Sequence, residues 1–260
     1  MKNGKVYLGT NTKMYKTIAQ TLAYLRRLGS LTVDIPRSEL ELFVIPSFTA
    51  LDASGEIARN SGITLGAQNM CWEEEGQFTG EISPLMLREV GVKVVELGHS
   101  ERRHLFGETN EMIAQKVTCA LKHDFTVLLC VGEQEEEKNE GRAEAVLRAQ
   151  LEIGLRDAVT AEKLWVAYEP VWAIGVNGKP ATAEYAEKMH GVIRGVLREK
   201  FGEAAETIPL LYGGSVRPDN ACELIRRSDV DGLFIGRSAW DADAFYRIIT
   251  DVLHVVRKTD

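Results

Sequence analysis

The chain carries few groups that would cross-link it. Only four cysteines occur in 260 residues, at Cys71, Cys119, Cys130 and Cys222. They form no Cys-x-x-Cys pair and no Cys/His cluster at metal-ligand spacing, which argues against a disulfide framework and a structural zinc site. Cys119 and Cys130 sit in apolar surroundings and read as small core residues. No apolar run approaches the roughly 18 to 20 residues of a membrane span. Basic residues are not in excess: 31 Lys and Arg face 38 Asp and Glu, a net charge of −7, so neither nucleic acid nor an anionic membrane surface is an expected partner. A small anionic substrate is still compatible, given a local positive site of helix N-termini, loop amides and a lysine. Low-complexity linkers and composition breaks are also missing, so residues 1–260 read as one domain.

What is present is a repeating pattern. The chain is 45% hydrophobic and 27% charged, with a mean hydropathy of −0.14, a composition suited to a soluble globular protein with a sizeable core. Met1-Lys2-Asn3-Gly4-Lys5 runs into a strand-like segment without the apolar stretch of a signal peptide, so a cytoplasmic location is expected. Short β-like runs at 6–9, 40–45, 64–67, 92–97, 126–131, 164–168, 209–212 and 232–235 alternate with helical patterns, the clearest at 17–28, 110–122, 141–155, 183–201 and 241–257. In 141–155, Ala145, Val146, Ala149 and Leu151 fall at helical spacing with charges between them. Eight such repeats fit a closed parallel (β/α)8 barrel. An open doubly wound sheet would place Gly-x-Gly-x-x-Gly after its first strand, where this chain has Gly9-Thr10-Asn11-Thr12-Lys13. The class is α/β, and a barrel places its site where strands end and loops begin.

Distinctive residues fall at those strand ends. The sixth run ends in Glu169, followed by Pro170, Val171 and Trp172 and then an arc containing Gly175, Gly178 and Pro180. A lone acid at a buried strand's exit, beside a hinge and a flexible cover, suits a general base that sheds water when substrate arrives; a strand-end glutamate facing solvent is the plainer reading. Asn11 and Lys13 follow the first run, where Lys13 is either a solvated surface lysine or a cation over an anionic substrate. His99 follows Gly98 after the fourth run, and Ser100-Glu101-Arg102 after it can open a helix. A neutral imidazole there could donate a hydrogen bond to a carbonyl oxygen, since the helix dipole disfavours its protonated form. Glu101 and Arg102 are expected to pair, and His104 reads as surface. The last two runs end in Tyr212-Gly213-Gly214-Ser215 and Gly236-Arg237-Ser238, small residues that let loop amides approach a phosphate.

Together these segments resemble the triosephosphate isomerase family, from the first strand to the last. The matching pieces are Asn11-x-Lys13-Met14, Gly66-Ala67-Gln68-Asn69, Phe78-Thr79-Gly80-Glu81-Ile82-Ser83, the run from Leu97 to Arg103, Cys130-Val131-Gly132-Glu133, the run from Tyr168 to Gly175, and Tyr212-Gly213-Gly214-Ser215. The resemblance implies a single-domain TIM barrel without a cofactor or metal. Glu169 is then the base that moves a proton between adjacent carbons, His99 the neutral electrophile and Lys13 the electrostatic partner of the enediolate. Asn11 helps orient substrate. The amides of Gly175, Ser215 and Gly236 bind phosphate under a lid at about 170–182. Tuned acid/base pairs and lid closure are well-known properties of this family, so these roles come with the resemblance. Ser100 is expected to hold Glu169 when the lid is open, and Trp172 to meet Glu133 at the hinge. The loop at 68–81, carrying Met70, Cys71, Trp72 and Phe78, plugs into a neighbouring subunit in this family, which implies a homodimer.

The chain also departs from the family pattern. Thr12 and Tyr15 stand where the usual first-loop motif has Trp and Asn. The lid is one residue longer than the common form, and Arg237 replaces the second glycine of the last phosphate turn, adding a long cation that counts here among the substrate-binding candidates. The lid and the run from Gly232 to Trp240 resemble the branch that handles erythrulose phosphates, which implies conversion of L-erythrulose 1-phosphate to D-erythrulose 4-phosphate. Neutral drift around the ordinary reaction, dihydroxyacetone phosphate to D-glyceraldehyde 3-phosphate, is the alternative. A Schiff-base aldolase would need a lysine within a late strand, where none lies except at the margins. A catalytically dead barrel would be expected to lack Lys13, His99 or Glu169.

Overall fold

A computed structural model describes residues 4–175 and 178–258. Eight parallel strands follow one another around a closed barrel: β1 (Val6–Asn11), β2 (Leu40–Ile45), β3 (Thr64–Ala67), β4 (Val94–Leu97), β5 (Thr126–Val131), β6 (Leu164–Tyr168), β7 (Leu210–Tyr212) and β8 (Gly232–Ile235). The ring closes where β1 pairs with β8, from Tyr7 opposite Gly232 to Thr10 opposite Ile235. Around it run α1 (Ile18–Leu31), α2 (Leu51–Asn60), α3 (Pro84–Glu89), α4 (Ser100–Leu105), α5 (Asn110–Lys122), α6 (Glu135–Asn139), α7 (Ala143–Gly154), α8 (Ala183–Phe201), α9 (Ala221–Ile225) and α10 (Ala242–Val256).

Strand periodicity divides the core in two. Tyr7, Phe43, Ile45, Val94, Leu128, Cys130, Ala167, Leu211 and Phe234 point inward and pack together as the barrel's filling. Their strand neighbours, such as Leu8, Leu42, Val95, Leu129, Val166 and Ile235, face the helices and join the outer core. A side-chain period of two on strands buried on both faces produces this split, and explains why the strands read as continuous apolar runs. The four longest helices start on side-chain caps: Thr17, Thr109, Thr182 and Asp241 each accept from a backbone N–H in the first turn, which satisfies donors that the helix leaves open.

Three strands and three helices differ in their bounds from the sequence reading, α1 covering residues 18–31 and α10 residues 242–256. β1 runs on to Asn11, so Asn11 is the strand's last residue and not a loop residue. β4 begins at Val94 and β7 at Leu210. The helix expected from residue 141 starts at Ala143, after the separate turn of α6.

Behind the site, His190 on α8 is fully buried. Its Nδ1 lies 2.7 Å from the Asp229 carbonyl oxygen, while Nε2 has no partner. In the neutral ring Nδ1 is then the donor, and a second proton on Nε2 would meet no acceptor. Burial above all pushes this imidazole down to about 4, against about 6.5 in an unfolded chain. The unfolded state therefore takes up the proton first as pH falls. Stability linked to His190 is intact above pH 6.5, declines between about 6.5 and 4, and levels off below, a loss of roughly 3 kcal/mol. Urea unfolding of His190→Gln across this window should show a shallower decline than the parent chain; parallel curves would remove His190 as a source of acid sensitivity.

Candidate active site

The carboxyl ends of the strands surround a cavity of about 320 Å³, lined by Asn11, Lys13, His99, Glu169, Gly175, Ser215, Gly236 and Arg237 together with Gly214, Arg217 and Trp240. Every site residue expected from the sequence thus meets in one place.

Glu169 follows β6 and is 3% exposed. Its backbone N–H donates to the Val131 carbonyl at 2.7 Å, which fixes where the side chain leaves the barrel. A Cβ on Gly213 would stand 2.9 Å from Glu169 Cγ, so a residue without a side chain makes room for the carboxylate there. Glu169 Oε1 lies 3.6 Å from His99 Nε2, and Oε2 accepts from the Ser100 backbone N–H at 3.4 Å. The contact expected from Ser100 is therefore made by its amide.

His99 is buried and caps α4. Gly98 before it has φ +76°, and a Cβ there would stand 2.7 Å from an Arg103 nitrogen; conformation and space both favour glycine. His99 Nδ1 accepts from the Glu101 N–H at 3.2 Å. In the neutral ring the proton consequently sits on Nε2, facing Glu169 and the cavity, where it can be donated to a substrate oxygen. Glu96, His99 and Glu169 also lie close enough together to hold a metal ion. A metal would need the Nε2 lone pair and so would displace the ring proton to Nδ1, against the Glu101 amide. The donor set fits proton transfer better than metal binding.

Lys13 adopts φ +50°. Its N–H donates to Asn11 Oδ1 at 2.6 Å, and Gln68 Nε2 donates to its carbonyl at 2.9 Å. Its ammonium pairs with Glu101 at 2.6 Å. This corrects the expected pairing of Glu101 with Arg102, whose guanidinium instead meets Glu108 at 2.7 Å. Glu101 stands closer to the loop after β1, and Glu108 is the buried acid on Arg102's side. Arg103 locks the turn by donating to the carbonyls of Gly98 at 2.6 Å and Cys130 at 3.1 Å.

The lid is tied at both hinges to one buried carboxylate. Glu133 accepts from Trp172 Nε1 at 2.8 Å, as expected, and from the hydroxyls of Tyr168 and Tyr185, each at 3.0 Å. Tyr185 lies in the first turn of α8, whose cap Thr182 ends the lid. Two lid residues, Val176 and Asn177, lie outside the described residues.

Four contributors were not foreseen. Glu96 points into the barrel, fully buried, and accepts from Asn11 Nδ2 at 2.7 Å. Burial first, and the nearby Glu169 charge second, hold its carboxyl well above the usual range. A single acid in the apolar run Val94-Val95-Glu96-Leu97, in phase with the inward Val94, was the available signal. Gln68 and Trp240 lie in segments that carry the family resemblance but without an expected role, and Arg217 gave no signal at all; each is polar or aromatic at a loop, like many residues that line nothing.

A family model described as triosephosphate isomerase matches residues 6–252. The chain belongs to the triosephosphate isomerase family. It is 49% identical over 251 residues to a Rhizobium etli protein named L-erythrulose-1-phosphate isomerase, covering 95% of this chain and 92% of the relative. It is 44% identical to a Solibacter usitatus protein named triosephosphate isomerase, covering 94% and 98%. The crystal structure of triosephosphate isomerase from Bartonella henselae superimposes with a TM-score of 0.86 at 34% identity, covering 97% and 99%. Membership in the triosephosphate isomerase family makes the chain an isomerase, and the closed barrel expected from the sequence is the fold found.

Proposed function

We propose that this isomerase converts L-erythrulose 1-phosphate to D-erythrulose 4-phosphate, moving a proton between the two inner carbons. The observation that carries the reaction type is the facing pair at one cavity, Glu169 Oε1 at 3.6 Å from His99 Nε2. The four-carbon substrate is supported by relatives from Rhizobium etli, Mesorhizobium japonicum and Rhizobium meliloti, all named L-erythrulose-1-phosphate isomerase, at 49%, 46% and 42% identity.

In this reading the phosphate sits against the amides of Gly175, Ser215 and Gly236, with Arg237 as a cation at the rim. Glu169 removes the proton from the hydroxyl-bearing carbon C3 while His99 donates from Nε2 to the oxygen of the C2 carbonyl. The electron pair forms the C2–C3 double bond of an enediolate, whose charge Lys13 offsets. Glu169 then returns the proton to C2 while the C3 hydroxyl gives its own proton to His99 Nε2, replacing the one passed to the C2 oxygen, so that the carbonyl forms at C3 and a hydroxyl remains on C2. Counted from the other end, the product is a 4-phosphate. Burial of Glu169 and the lid keep water from the intermediate, which would otherwise eliminate phosphate. The substrate differs from dihydroxyacetone phosphate by a hydroxymethyl group on the reacting carbon, so base and electrophile keep their roles.

The second reading, ordinary triosephosphate isomerisation, is favoured by the Solibacter usitatus relative. A cavity built for the larger substrate should give a higher kcat/KM with L-erythrulose 1-phosphate than with D-glyceraldehyde 3-phosphate; a triose preference of about a hundredfold or more would settle the matter for the three-carbon substrate.

A homodimer accompanies this reading. In the loop at 68–81, Met70 and Cys71 fold back into the core, and Phe78 packs edge-on to Trp72 at 5.9 Å. Phe78, Met86, Tyr15 and Met14 stay 38%, 56%, 66% and 94% exposed, an amount of apolar surface that suits a partner subunit. Light scattering at micromolar concentration should return the mass of two chains, and the mass of one would contradict the dimer.

A further inference from the structure

Lys13 stands in a backbone conformation that a side chain seldom adopts, φ +50°, so surrounding contacts must hold it there. Its N–H is bound by Asn11 Oδ1 at 2.6 Å, which makes the placement of Asn11 the immediate control on the placement of Lys13. The Asn11 side chain is held from the barrel interior through Glu96. Its backbone carbonyl is held from elsewhere: it accepts from Trp240 Nε1 at 2.9 Å, across 229 positions of sequence.

Trp240 follows the short turn Arg237–Ala239 after β8 and lines the same cavity. Its seat is rigid, since the neighbouring Ala239 is fully buried and its carbonyl accepts from the buried Tyr24 hydroxyl at 2.7 Å. The indole ring packs against Tyr15, with centroids 4.4 Å apart and planes tilted by 37°. One side chain therefore grips the first loop on both sides of Lys13, by a hydrogen bond at residue 11 and a ring contact at residue 15. Thr12 between them has a buried hydroxyl with no partner, so its side chain adds no hydrogen bond to this hold.

We infer that Trp240 is a positioning residue for Lys13, acting through the Asn11 carbonyl and the Tyr15 ring to keep the ammonium where the enediolate charge develops. This rests on the isomerase reading above. A charge aimed at the transition state loses effect steeply when displaced, so loosening its support lowers turnover more than substrate affinity.

The test is a double-mutant cycle on the purified full chain, with the sugar phosphate it turns over best. Trp240→Phe keeps a ring for Tyr15 but removes the N–H donor; Trp240→Leu removes both. Trp240→Phe should lower kcat about tenfold with KM changed less than about twofold, and Trp240→Leu should lower kcat further. In a Lys13→Arg background, which keeps the charge but not its placement, Trp240→Phe should cost little more. Equal fractional losses in both backgrounds, an unchanged kcat, or a change confined to KM would overturn the inference. Wild-type chain inactive on both phosphates would remove the isomerase reading, and this inference with it; active wild type with additive losses removes the inference alone.

Discussion

The pairing of β1 with β8 turns eight separate strands into a ring and places all their carboxyl ends on one rim. Five strands place residues at the cavity there, far apart in sequence: Asn11 from β1, His99 just past β4, Glu169 just past β6, Gly214 just past β7 and Gly236 just past β8. A closed barrel has no free sheet edges, and its interior is filled by side chains, so chemistry is confined to the loops at the ends. The inward layer of Tyr7, Phe43, Leu128 and Phe234 fills the barrel interior, and Phe234 also lines the cavity. That layer's rigidity lets a 3.6 Å gap between Glu169 and His99 be held without a direct bond joining them.

The site concentrates acid in a poorly solvated space. Glu96, Glu133 and Glu169 are all buried, and each is treated differently. Glu133 gathers hydroxyl and indole donors and serves as an anchor for the lid. Glu96 is driven toward its neutral form by burial and by the Glu169 charge, which relieves repulsion between carboxylates that could not both ionise cheaply. Glu169 has one long contact to an amide, from Ser100, and faces the open cavity. Glu169 thus has oxygen lone pairs free to face a substrate carbon, whereas those of Glu133 are occupied by Trp172, Tyr168 and Tyr185.

Much of this is legible in the chain. Strands buried on both faces appear as short apolar runs, and five of the eight are bounded correctly, four of them because Pro46, Gly132, Glu169 or Gly236 stops them at once and β3 because Gln68 does. The long helices carry caps and amphipathic periodicity, and the sequence pattern places α5 and α8 to the residue. Helices of five or six residues, such as α3, α6 and α9, complete less than two turns, too few to show a period. Asn11, His99 and Glu169 stand out because they interrupt apolar or glycine-rich context at strand ends. The Lys13–Glu101 pair does not, because loops after β1 and β4 become neighbours only once the barrel closes. Trp240 is hidden for the same reason: its partner is 229 residues away.

The central claim is that Glu169 carries the hydrogen as a proton. The most direct measurement is NMR of the reaction run in deuterium oxide with the wild-type chain and with Glu169→Gln. The account predicts that wild type places deuterium from solvent on the former carbonyl carbon of the product. Glu169→Gln should lose exchange and turnover together, by a factor of about a thousand or more. Deuterium uptake by Glu169→Gln at the wild-type rate would contradict it and assign the proton to another group.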